Sequence, residues 1–396
     1  MTNRQQLFYH YLAQTSDFPL ALDIDRAEGV YLYGQEGKRY TDMISGIAVS
    51  NVGHRHSKVL EAIQNQLDKY LHLMVYGEYI ETPQILLAQA LVKTLPVLNL
   101  DNVYFTNSGA EAVEGAMKLA KRFTGRKEFV ACYNAYHGST QGALSLSGAE
   151  FFKNNYRPLL PGVKHINHGK IEDLEKISCR TAAVIIEVIA GEAGVRVPEV
   201  AYHQALRKRC DEVGALLIYD EIQTGFGRTG TFWAFEQFEA APDILLCAKG
   251  MGGGMPIGAF IASQEMMAVF KNNPILGHIT TFGGHPVSCA ASLATLQIVE
   301  ETLSSRTELS IQEKGDLIKQ LLRHPKIKEI RGRGLMLAVE FESFEVLKPI
   351  IDRAIKKGVI TDWFLFCDNS MRLAPPLVIS EREIHEACQV ILEAID

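Results

Sequence analysis

Between residues 102 and 262 the chain keeps returning to one texture, a short apolar run followed by a stretch with helical spacing. The runs lie at 102–106, 128–132, 182–188, 215–219, 244–248 and 259–262. Between them, 111–123 places Val113, Met117 and Ala120 on one face, the spacing of an amphipathic helix. The stretch 202–213 ends at Gly214, a residue suited to closing a helix in the left-handed conformation. Further upstream, Thr82 before Pro83 predicts an N-cap with proline at the first helical position. Apolar strands alternating with helices give a mostly parallel sheet covered on both faces. Functional groups in such sheets gather in the loops at the strand ends.

Outside this region the texture changes. A long helical pattern starts near Pro286, and beyond it come "KIKEIRGRGLMLAVEF", a helical 344–357 and "MRLAPPLVIS". These predict a smaller α+β unit. The first fifty residues, with "GVYLYGQEGKRYTDM", read as strands and turns that join it. The expected division is a large domain over 51–290 and a small one over 291–396 completed by residues 1–50. The 396 residues are 47% hydrophobic and 22% charged, an ordinary globular balance. A net charge of −6 argues against a broad nucleic-acid surface. No apolar run approaches membrane-spanning length, and the amino-terminal stretch reads as too polar for a secretory signal. The seven cysteines are scattered without a C-x-x-C pair, so neither a disulfide framework nor a metal site is expected. A cytoplasmic location fits these features.

Four strand ends carry candidate chemistry. In "CAKGMGGGMPIGAF", Lys249 follows an apolar run and precedes crowded glycines. A dinucleotide-binding G-x-G-x-x-G fails there, because the sixth position is Met255 or Ile257, and no G-x-x-x-x-G-K-[ST] occurs. The lysine is either a solvated neighbour of a glycine turn or a reagent. "YFTNSGAEAVEGAMKLAKR" sets Ser108, Gly109 and Ala110 at a helix start. Backbone N–H groups there bind phosphate, although Asn107 or Ser108 with Glu111 would also make a plain helix cap. "ALLIYDEIQTGFGRTG" ends a strand on Asp220 and Glu221. A carboxylate buried there needs a partner, and a cationic ring nitrogen is one; a helix cap or surface ion pair is the ordinary alternative. "ACYNAYHGSTQG" offers Tyr136 and His137, an aromatic that stacks on a flat cofactor or simply packs in its loop. Taken together, a phosphate cradle, an aromatic plate, a buried acid and a lysine are the parts of a pyridoxal phosphate site.

On these motifs, with "GIAVSNVGHRHSKV", "GEAGVRVP", "TTFGGHPVSCA" and "RLAPPL", the chain resembles the class III aminotransferases. The resemblance runs nearly end to end, with a texture most like acetylornithine and ornithine aminotransferases. It implies the α/β fold type I of pyridoxal phosphate enzymes, with a mostly parallel seven-stranded sheet in the large domain. It also implies catalytic roles for Lys249, the Schiff-base lysine and proton carrier, and Asp220, the partner of the pyridine nitrogen. Ser108, Gly109 and Ala110 would hold the phosphate, Tyr136 and Ile222 flank the ring, and His137, Glu187 and Gln223 complete the cofactor's surroundings. Thr281 would reach the phosphate of the other subunit in a homodimer. Arg372 would take a substrate carboxylate, and Glu192 would cover it when the donor presents an ω-amine.

The implied reaction moves nitrogen from a small ω-amino donor to a 2-oxo acid, 2-oxoglutarate or pyruvate, by ping-pong chemistry. Ser139 departs from the arginine usual after "HG", as in several ω-amine:pyruvate members. Val188 departs from the usual proline. An ω-amine or β-amino acid aminotransferase, an aminomutase or racemase, and a non-catalytic cofactor-binding protein are the alternatives on the same fold.

Overall fold

The structure, a computed structural model, describes residues 4–306 and 308–396. Near the amino end, β1 (Ile24–Glu28), β2 (Tyr31–Gly34) and β3 (Arg39–Asp42) form a meander. The central sheet follows, with β4 (Asn102–Thr106), β5 (Glu128–Cys132), β6 (Val163–Ile166), β7 (Thr181–Glu187), β8 (Leu216–Asp220), β9 (Ile244–Cys247) and β10 (Gly258–Ala262). Its order is β4-β10-β9-β8-β7-β5-β6. Neighbours from β9 to β6 are parallel, and β10 runs antiparallel to both β9 and β4.

Alternation along the strands separates two cores, as a side-chain period of two requires. Ala183, Ile185 and Ile218 pack with Val113, Ala116 and Met117 of the helix Gly109–Thr124. Val184, Ile186, Leu217 and Tyr219 pack on the other face with Tyr202, Leu206 and Cys210 of the helix Val200–Val213. Every residue of β7 through β10 is buried, and each fully buried aliphatic side chain there contributes about 1.5–3 kcal/mol. This two-sided packing holds the strand ends still. Gly115 lies so close to Phe260 that a Cβ there would clash.

The carboxyl-terminal part adds β11 (Glu329–Arg333), β12 (Met336–Glu340), β13 (Val359–Ile360), β14 (Asp362–Phe364) and β15 (Cys367–Leu373). One sheet has the order β11-β12-β15-β14. The other is the amino-terminal meander extended by β13, which pairs parallel with β3 through Val359–Thr41 and Ile360–Asp42. The two ends of the chain therefore share a sheet. Helices Ile311–Leu321, Phe344–Lys357 and Glu381–Ile395 bury Ile318, Leu347, Ile351, Ile384 and Ile391 with these strands.

Three local expectations need correction. Six apolar runs missed β6, a half-buried edge strand of sequence VKHI without a marked apolar character. The first fifty residues contain a helix, Arg4–Tyr11, besides their strands. Thr82 is the first helical residue, with Glu81 as the flanking cap position and no side-chain cap bond. Among the described residues no helix is long and apolar enough to cross a membrane. No group of three His, Cys, Asp or Glu residues there could hold a metal ion.

Candidate active site

A cavity of about 760 Å³ opens where the ends of β7, β8 and β9 meet the start of the helix Gly109–Thr124. Lys249 lies at its wall, directly beyond β9. Its backbone has φ 44°, a left-handed conformation that costs a non-glycine residue about 1–2 kcal/mol. The glycines after it have separate tasks. Gly253 and Gly254 take φ 59° and 102°, whereas a Cβ at Gly250 would strike the Asn51 amide and one at Gly258 the Ser108 carbonyl. The glycine block thus lets the lysine turn press against both Asn51 and the helix start. Lost hydration lowers the Lys249 ammonium below the ordinary lysine pKa. Glu192 and Asp220 oppose that shift by their charge, and Arg372 adds to it.

Asp220 and Glu187 are register partners at the ends of β8 and β7. Both are buried, at 4% and 6% exposure, yet they are held differently. Asp220 Oδ2 lies 2.7 Å from His137 Nδ1, and its Oδ1 accepts from the Ile222 N–H at 3.0 Å. The acid predicted to need a ligand therefore already has a partner in the chain. Burial would lower the His137 pKa, but the hydrogen bond and charge of Asp220, with the charge of Glu187, raise it overall. His137 Nε2 is buried with no hydrogen-bond partner among the described residues. Among the described residues Glu187 accepts from the N–H groups of Gly191 at 3.2 Å and Tyr136 at 3.4 Å. Burial pushes its carboxyl up to about 8, with the charges of Asp220 and Glu192 adding to the rise. Glu221, next to Asp220, takes the ordinary alternative: it points away to Thr224 Oγ1 and the N–H groups of Ala234 and Phe235.

At the helix start, Ser108 Oγ accepts from the Glu111 N–H at 3.2 Å, and Glu111 reaches back to the Asn107 N–H at 2.8 Å. The capping reading and the cradle reading both apply here, because the cap leaves the N–H groups of Gly109 and Ala110 at the cavity wall without intrahelical acceptors. Tyr136, Ile222 and Gln223 line the same cavity, as do Asn107, which the sequence offered only as a cap, Met255, and Thr140 and Pro256, which the sequence did not flag. Ser139 also lines it, with its Oγ 3.2 Å from the Tyr136 hydroxyl.

Arg372 and Glu192 form a buried fork, Nη1–Oε1 at 2.7 Å and Nη2–Oε2 at 3.0 Å. They do not line the cavity but lie close enough for their charges to act on Lys249. Burial would raise the Glu192 pKa, but the charge and hydrogen bonds of Arg372 hold it below the usual carboxylate range. Asp362, a residue the sequence did not flag, bonds Arg372 Nε at 2.9 Å. Thr281 stands apart from all of these. It is exposed, and its carbonyl accepts from His72 Nε2 at 2.8 Å.

The profile of the family described as Aminotransferase class-III matches residues 11–395. The chain is a class III aminotransferase. It is 39% identical, over 100% of its own length and 99% of the relative's, to the acetylornithine aminotransferase of Methanopyrus kandleri. It superposes with TM-score 0.89 and 29% identity on an ornithine aminotransferase from Toxoplasma gondii, over 98% of this chain and 92% of that one; that structure holds pyridoxal phosphate at partial occupancy in its active site. An adenosylmethionine-8-amino-7-oxononanoate aminotransferase from Methanocaldococcus jannaschii gives 0.89 at 31% identity, over 99% and 98% of the two chains.

Class III aminotransferases use pyridoxal phosphate, with a small amino donor and a 2-oxo acid as substrates. The cavity suits that cofactor. It offers free N–H groups at a helix start for an anion, an anchored carboxylate for a ring nitrogen, an amine with a lowered pKa, and Tyr136 and Ile222 as flat and aliphatic surfaces. Side chains larger than hydrogen at Gly109 or Gly258 would close the cradle against Ile222 or Ser108.

Proposed function

We propose that this class III aminotransferase passes nitrogen from an ω-amino donor of the acetylornithine or ornithine kind to a 2-oxo acid, 2-oxoglutarate or pyruvate, in a ping-pong cycle. The observation that carries the reading is the Arg372 fork closed by Glu192 within charge range of Lys249. Ser108, Gly109 and Ala110 would hold the cofactor's phosphate, Asp220 its ring nitrogen and Lys249 its aldehyde carbon. Once bound, the cofactor supplies an electron sink for the pair left when a proton departs from the donor's amine-bearing carbon. Lys249 Nζ takes that proton and returns it, a task its lowered pKa favours. His137 and the Ile222 N–H keep Asp220 aimed. With Glu192 in place the site meets an ω-amine as a neutral pair. With Glu192 withdrawn, Arg372 offers a bidentate grip to the acceptor's carboxylate.

A second reading, an ω-amine or β-amino acid:pyruvate aminotransferase, is favoured by Ser139. That hydroxyl is bonded to Tyr136, and among the described lining residues Lys249 is the only lysine or arginine. The test is nitrogen transfer from isotopically labelled donors, offered with each 2-oxo acid. Fastest transfer from N-acetylornithine or ornithine supports the first reading, and transfer only from simple ω-amines or β-alanine supports the second. Conversion of a donor without transfer would point to a mutase or racemase, and complete inactivity to a cofactor-binding role.

We also infer the division of the chain into 51–290 and 291–396 with 1–50. The pairing of β3 with β13 supports it. A homodimer is part of the same reading, with Thr281 serving the other subunit's phosphate. Its support is an exposed loop that carries Thr281 beside the exposed Ile275 and Phe282. A cytoplasmic location accords with seven unbridged cysteines, five of them buried.

A further inference from the structure

The fork of Arg372 is not held by Glu192 alone. Five consecutive residues of one hairpin surround the pair. Asp362 Oδ1 accepts from Arg372 Nε at 2.9 Å, and the Trp363 carbonyl accepts from Nη2 at 3.0 Å. The Phe364 ring lies under the guanidinium, 4.5 Å from centroid to Cζ. The Leu365 N–H donates to Glu192 Oε2 at 3.1 Å, and the Phe366 N–H to the Glu192 carbonyl at 3.1 Å. Asp362 and Arg372 are also register partners on β14 and β15, so the backbone itself sets their separation.

From this geometry we propose that Asp362 is a positioning residue that anchors Arg372 through Nε and so keeps its Nη fork aimed at the acceptor's carboxylate once Glu192 withdraws. The assignment rests on the reading of Arg372 as the acceptor's carboxylate site. Its logic is geometric. A guanidinium has one Nε–H edge and one fork of two Nη groups. Asp362 occupies the edge and leaves the fork's bidentate face to Glu192. An incoming carboxylate can replace Glu192 at that face without disturbing the edge. Were the arginine to swing out instead, it would forfeit the Asp362 bond, the Trp363 carbonyl and the Phe364 ring together. Withdrawal of Glu192 forfeits only the fork and the Leu365 N–H, and the fork is refilled by substrate.

The test is steady-state kinetics of the cofactor-loaded enzyme with 2-oxoglutarate and pyruvate as acceptors. D362A should raise the acceptor KM about tenfold while kcat at saturating acceptor falls less than threefold. D362N keeps an oxygen that accepts from Nε, and should bring the KM back to within about threefold of the parent enzyme. If D362A does not fold, D362S removes the same contact and carries the same expectation. In an R372K background, where no Nε–H edge exists, D362A should change the acceptor KM less than twofold. A folded D362A or D362S enzyme with unchanged acceptor KM overturns the proposal. So does a D362N enzyme no better than the truncation, or an equal loss in KM and kcat. Failure of the underlying reading looks different: R372A itself would then leave the acceptor KM unchanged.

Discussion

The two sides of this site are built from different materials. On the central sheet, each group bonds to at least one nearby backbone N–H: Asp220 to that of Ile222, besides the His137 ring, Glu187 to those of Gly191 and Tyr136, and the Ser108 and Glu111 side chains to those of Glu111 and Asn107 at the helix start. The strands beneath are packed on both faces. On the carboxyl-terminal sheet, the Arg372–Glu192 fork is a contact between two long side chains, one on β15 and the other in the turn beyond β7. A buried ion pair adds little net stability, because desolvation consumes most of the attraction. It is correspondingly inexpensive to exchange one carboxylate for another. The contrast separates duties: the fixed side performs the chemistry common to every substrate, and the exchangeable side decides which substrate is admitted.

The hardest blow to the fixed side is K249A. Removing both the cofactor's amine and the proton carrier should cut turnover at least about 10³-fold, with a circular-dichroism melt close to the parent. Substantial residual transfer would remove Lys249 from its role. R372A strikes the exchangeable side. It should raise the acceptor KM about tenfold or more and lower thermal stability, since a buried carboxylate pair left without its cation costs about 3–5 kcal/mol.

S139R alters the boundary between donor readings. An arginine there should shift the kcat/KM ratio of N-acetylornithine over a simple ω-amine upward about tenfold; an unchanged ratio would mean that position 139 does not meet the donor's far end. The smallest effect concerns Glu187. Its carboxyl is raised to about 8 in the fold, so the stability it contributes is full below the ordinary glutamate value and is lost as pH climbs toward 8. Melting temperatures of the cofactor-free protein between pH 5 and 9 should fall less steeply for E187Q than for the parent. Parallel slopes would show that Glu187 titrates normally.

Much of the fixed side was legible in the sequence because it depends on local pattern. Strand ends announce themselves by apolar runs; Lys249 and Asp220 sit immediately beyond one, and Ser108 two residues beyond another. What stayed hidden depends on long-range pairing. Asp220 and His137 are 83 residues apart, whereas the pairing of Glu192 with Arg372 across 180 residues was expected from the family resemblance alone. Asp362 lies ten residues from Arg372 in a stretch with no motif, and only the β14–β15 register brings them together. The edge strand β6 escaped because half-burial asks for less apolar character than a central strand. Ser139 was visible as a departure, and the hydroxyl bond to Tyr136 adds where that side chain stands, not which donor it meets.

The division of labour is tested most directly by single-turnover half-reactions of the parent and R372A, followed by the cofactor's visible absorption. One run adds an ω-amino donor with no acceptor. The other adds a 2-oxo acid to the aminated enzyme. If the fixed side performs the chemistry and the fork selects, R372A keeps the donor half-reaction within about threefold and slows the acceptor half-reaction at least tenfold at equal subsaturating concentration. Equal slowing of both halves would contradict the account, because the fork would then be part of the chemistry it is held to admit.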